Sequence, residues 1–130
     1  MKKLTNKELK NKQKLIENMD IMLGSFLNEI HYMEIAVERM EETFKNKGEH
    51  YIDIVEHYRD TVKFYRFDFA RFERFRNLAV AGKITLEKLK IYNDIIKDVV
   101  IDIQRTSDTV IRICIVEGAE NLSESICEVI

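Results

Sequence analysis

KLIENMDIMLGSFLNEIHYMEIAVERMEETF, residues 14–44, is the stretch whose reading decides the fold. Within it Ile16, Met19, Leu23, Phe26, Ile30, Met33, Val37, Met40 and Phe44 fall at alternating steps of three and four. Such spacing keeps one seam of a helix turned toward a partner helix. Leu9 extends the seam toward the N-terminus, with Lys12 as its polar step. Gly24 interrupts the run, but one mid-helix glycine costs only about 1 kcal/mol. The phase continues across it, so the reading is one unbroken helix.

Two more stripes follow. Val55, Tyr58, Val62, Tyr65, Phe69, Phe72 and Ala79 form the second, interrupted by Arg76. Leu89, Tyr92, Ile96, Val99, Ile103, Val110 and Ile113 form the third, with Thr106 as its polar step. The chain has no proline to break them. The helices are expected over about Thr5–Asn46, Glu49–Ala81 and Leu86–Val116. Gly48 and Gly82 stand where helix ends need a left-handed residue. Thr85 is placed to cap the third helix. Gly118 is expected to end that helix, and Asn121–Ile130 to form a short C-terminal helix. Short connections make neighbouring helices antiparallel. The expected fold is thus all-α: one domain over residues 1–130, an antiparallel bundle of three long helices plus the short one, with coiled-coil-like heptad packing.

The third helix carries apolar residues off its seam, among them Ile95 and Ile111. A helix with more than one apolar stripe needs more than one partner. Ile95 and Ile111 are therefore the candidate oligomer interface, and a homodimer is the expected assembly.

A net charge of −2 predicts no bulk attraction to nucleic acid or membrane, yet it hides a polarity. Residues 1–16 and 63–90 each carry a net of +5, whereas residues 29–60 carry −5 and residues 108–130 carry −4. Antiparallel folding brings the two basic segments to one end and the two acidic segments to the other. Charge separated on that scale steers partners. Val99–Val116, the most apolar segment, holds Asp102, Arg105, Asp108 and Arg112, too many charges for a membrane span. Met1-Lys2-Lys3-Leu4 lacks the start of a signal peptide, and two late cysteines, Cys114 and Cys127, make no disulfide framework. Both features point to the cytoplasm.

Candidate chemistry is sparse. Between Arg59 and Arg76, basic and aromatic residues interleave, a pattern that can hold phosphates and stack bases. Helical spacing puts Tyr65, Phe69 and Phe72 on the seam. Arg66, Arg71 and Arg74 are left outside as a candidate phosphate or partner surface. His50, Asp53, Glu56, His57 and Asp60 open the second helix, and the turn brings Glu34, Glu38, Glu41 and Glu42 near them. The Glu-x-x-His pairs of a bundle di-metal site are missing, so no metal is expected. No phosphate-binding loop, catalytic serine context or Cys-x-x-Cys pair is present, and no cofactor is expected. Phe75-Arg76-Asn77-Leu78-Ala79-Val80-Ala81 resembles the Arg-Asn-x-x-x-His motif of HEPN helical ribonucleases over seven residues. Ala81 stands in place of the histidine, so the resemblance implies at most a catalytically inactive relative and does not place the chain in that family.

The expected function is a small non-enzymatic protein-interaction module: an adaptor, inhibitor or assembly factor working as a helical-bundle oligomer. The alternative is a regulator that binds nucleic acid through the basic end or mimics it with the acidic end.

Overall fold

The computed structural model describes the backbone of residues 3–129 and the side chains of residues 3–117. It contains three helices: α1 Asn6–Phe44, α2 Glu49–Val80 and α3 Leu86–Val129. The described residues form no strand.

Local chemistry accounts for the helix ends. Thr5 and Glu8 form a reciprocal capping box, each side chain accepting from the other's backbone N–H at 3.2 Å. Thr85 Oγ1 accepts from the Lys88 N–H at the start of α3. At the end of α2, Lys83 N–H donates to the Leu78 carbonyl and Gly82 N–H to the Ala79 carbonyl. This pair of bonds needs a left-handed residue, which Gly82 supplies with φ 74°. Gly48 enters α2 with φ 106°, a conformation that a side chain would strain.

α1 is unbroken through Gly24. α3 is likewise drawn through Gly118 to Val129, so the expected separate C-terminal helix is not shown. The reason is the same in both places: a single glycine lowers helix propensity without ending a helix that is otherwise favoured.

The buried seam of α1 is Met19, Leu23, Phe26, Ile30, Met33, Val37, Met40 and Phe44, joined by Ala36. Val55, Val62, Tyr65, Phe72, Phe75 and Ala79 answer from α2, and Leu89, Ile96, Ile103 and Val110 from α3. Leu9 departs from the expected seam and is 49% exposed. Lys12 Nζ already lies beside Gly82 in the α2–α3 turn, so α1 starts ahead of the other two helices and the described residues leave Leu9 half exposed.

Cross-helix contacts set the directions. Arg76 reaches Asp20, and Arg59 reaches Glu41, so α2 runs antiparallel to α1. Cys114 Sγ lies 3.7 Å from the Ala36 carbonyl and Lys47 pairs with Glu117, so α3 runs parallel to α1. α1 packs closely against both neighbours, while α2 and α3 stand farther apart. Lys12 Nζ lies beside Gly82, which brings one basic residue of α1 to the α2–α3 turn. No helix of the described chain is long and apolar enough to cross a membrane.

Candidate functional site

The separation of α2 from α3 leaves a groove, and large side chains cross it at two levels. Near the α2–α3 turn, Phe75 and Tyr92 stack with ring centres 3.5 Å apart and planes 11° from parallel. Phe75, which is not part of the expected stripe, is buried at this stack. Midway along, the Tyr65 hydroxyl donates to Asp102 Oδ2 at 2.7 Å and lies 3.1 Å from Thr106 Oγ1. Above that bridge the groove is open. A pocket of about 380 Å³ is lined by His57, Tyr58, Thr61, Tyr65, Asp102, Arg105, Thr106 and Thr109. A second depression adjoins it, sharing His57 and Tyr58 and extending to His50, Asp53, Ile54 and Ile113.

These groups can donate and accept hydrogen bonds. Burial pushes the Tyr65 phenol up to about 12; Thr106 opposes the shift, and the hydrogen bond and charge of Asp102 add to it. The phenol therefore stays protonated at neutral pH and acts as a structural donor. Burial also pushes the Cys114 thiol up, with a smaller opposing pull from Arg39. That thiol donates weakly to the Ala36 carbonyl at 3.7 Å.

The raised phenol has a testable sign. With folded Tyr65 near 12 and its ordinary value at 10, the folded state holds the proton more tightly than the unfolded chain. Its stabilising contribution is full below pH 10 and is lost as pH rises through the window up to about 12. Tyr65→Phe should cost about 1 kcal/mol at neutral pH and flatten the loss of stability across that window. Paired denaturant titrations of both chains at successive pH values check this, and parallel pH slopes would refute it.

The arginines expected to hold phosphate are divided by the fold. Arg66 pairs with Glu34 of α1. Arg71 turns along its own helix to Asp68 at 3.4 Å, with its guanidinium over the Phe72 ring. Arg74 is exposed. At about 100° per residue these three fan around α2 and do not converge on one phosphate. Arg76, the arginine of the Arg-Asn pair, grips Asp20 with two bonds, Nε to Oδ1 at 2.7 Å and Nη2 to Oδ2 at 3.1 Å. That carboxylate raises the guanidinium pKa above its ordinary value.

Sequence reasoning missed the resulting ladder: Arg59, Arg66 and Arg76 of α2 meet Glu41, Glu34 and Asp20 of α1. Its signal was available. Asp20, Glu34 and Glu41 share one heptad position beside the α1 seam. Among the described residues, no three His, Cys, Asp or Glu side chains gather closely enough to hold a metal ion. Ile95 and Ile111 are each 38% exposed. Helical geometry places them about 160° apart around α3, so they flank its buried stripe on opposite sides and do not share one face. Cys127 lies outside the described side chains.

Comparison with known proteins gives no relative: no family model matches the chain, and neither a curated protein nor a solved structure does.

Proposed function

We propose that this chain is a small non-enzymatic interaction module, an adaptor, inhibitor or assembly factor, that works in the cytoplasm as a coiled-coil-like helical-bundle oligomer. The observation that carries this reading is the open α2·α3 groove. It presents hydroxyls, an imidazole and a guanidinium around Tyr65 and Asp102, with the exposed ring of Phe64 one turn away on α2. Polar groups beside exposed apolar surface are the make-up of a recognition surface. Three arginines of α2, Arg59, Arg66 and Arg76, pair with α1 and so stand apart from the groove.

The alternative is nucleic-acid binding or mimicry through one end of the bundle. The meeting of Lys12 with the α2–α3 turn favours it, since it brings one basic residue of α1 to that turn. The two readings separate in one experiment. The unsubstituted chain and a Phe64→Glu, Thr109→Glu variant are used for affinity capture from the native host, and bound proteins are identified by mass spectrometry. The module reading expects a partner that the variant loses while keeping its helicity. A sub-micromolar DNA or RNA complex that survives about 150 mM salt, where the Debye length is about 8 Å, would overturn it in favour of the alternative.

A further inference from the structure

The outermost face of α1 breaks the rule that a surface helix is polar opposite its core. Lys14, Ile21, Asn28, Ile35 and Glu42 recur every seven residues. They lie opposite the buried seam and share its period, so the two stripes stay in phase along the helix. All five are exposed, Ile21 at 71% and Ile35 at 51%. None of the described residues buries them.

The stripe reads as an inverted repeat with opposite charges at its ends. Turned end for end about Asn28, a second α1 would set Lys14 against Glu42, Ile21 against Ile35, and Asn28 against itself. A parallel copy would instead oppose Lys14 to Lys14 and Glu42 to Glu42. Beside the centre lie Gly24 and Ser25. A Cβ added at Gly24 would meet nothing of this chain within 4 Å, so internal packing gives no reason for a glycine in mid-helix. In the inverted arrangement the His31 and Tyr32 rings of the second copy fall level with Gly24 and Ser25. A like-charged pair, Glu17 beside Glu38, results twice by symmetry at the edges of the contact, and Lys10 falls beside Lys45 just beyond them. The polarity of the whole chain agrees: inversion lays a basic half along an acidic half.

We infer that the outer stripe of α1, centred on Asn28, is a two-fold antiparallel interface with a second copy of this chain. Self-complementarity of one patch is what such symmetry demands. The contact spans about 42 Å of helix. The inference rests on the reading of the chain as an associating module and adds which surface associates and in which direction.

Oxidative cross-linking tests it, with sedimentation as the companion measurement. Asn28→Cys should give a disulfide-linked dimer joined at the introduced thiols, as read by peptide mapping, because that position meets itself. Ile21→Cys alone should not link, while Ile21→Cys combined with Ile35→Cys should. Ile21→Glu with Ile35→Glu should weaken dimerisation at least tenfold at unchanged helicity, and Glu17→Lys should tighten it. Linking by Ile21→Cys alone would reveal a parallel pair and overturn the inference. A dimer that none of these thiols captures would overturn the interface and leave the module reading intact. A chain that stays monomeric at high concentration would overturn the interface and the oligomer together, while partner capture through α2·α3 would still be judged by its own experiment.

Discussion

Phe26→Ala should lose about 3–5 kcal/mol of folding stability, the range for emptying a fully buried aromatic site. Phe26 is completely inaccessible to solvent at the centre of α1. Its ring meets three rings of α2: Tyr65 and Phe72 edge-on, with centres at 6.0 and 6.2 Å, and Phe69 tilted at 6.1 Å. Such pairs contribute about 0.5–1.5 kcal/mol each beyond the area they bury, so the cavity removes packing and ring contacts at once. The loss is large against the roughly 5–15 kcal/mol that holds a typical domain together. The control is Phe67→Ala on the adjoining helix, where the ring is 75% exposed. That change should stay within about 0.5 kcal/mol. Denaturant unfolding followed by circular dichroism measures both. Equal losses at the two positions would mean that α1 and α2 do not pack on this seam.

The contrast between these phenylalanines shows what periodicity can reveal. Phe26 follows Met19 by seven residues and precedes Met33 by seven, and all three are buried. Phe67 falls off the second stripe and is outside. A repeat reports which side of a helix faces inward, and that was enough for three helices and most of the core, but not for every cap: Gly48, expected to close α1, instead opens α2, and α1 closes at Lys45. It does not report how far each helix extends past its neighbours, so Leu9 sits on the seam by spacing and in solvent by position. Nor does it report the distance between two helices. The gap between α2 and α3 draws Phe75 inward to stack on Tyr92 and makes Tyr65 reach across to Asp102.

The candidate site was less legible for a related reason. A run of arginines looks the same in sequence whether it faces water or a neighbouring helix. Arg66, though exposed, is held to α1 because Glu34 stands beside it, and that pairing depends on the register of two helices. The α2·α3 groove likewise has no local signature. His57, Thr61, Arg105 and Thr109 are unremarkable until antiparallel packing puts them around one pocket.

Ile103→Glu should abolish the native fold, and Ile111→Glu should spare it. The two positions lie on the same helix with the same side chain and receive the same substitution, so propensity cancels in the comparison. Ile103 is fully buried between Ile96 and Val110 on the inner stripe of α3. A carboxylate forced there gives up its hydration, and an unpaired buried charge costs several kcal/mol. Losing the apolar packing of isoleucine adds about 2–5 kcal/mol, judged from truncations at such sites. The sum reaches the whole stability expected of a domain this size. Ile111 is more than a third exposed, and a carboxylate there keeps much of its water, so the cost should stay below about 1.5 kcal/mol. Far-UV circular dichroism and thermal melting of the two variants should give a largely unfolded chain for Ile103→Glu and a cooperative helical one for Ile111→Glu. Ile96→Glu should behave like Ile103→Glu, since it occupies the same stripe one heptad earlier and is equally buried. A helical, cooperatively melting Ile103→Glu chain would mean that α3 does not turn this face toward α1 and the core. The Tyr65–Asp102 bridge and the groove above it depend on that rotation of α3, so the result would remove the candidate site as well.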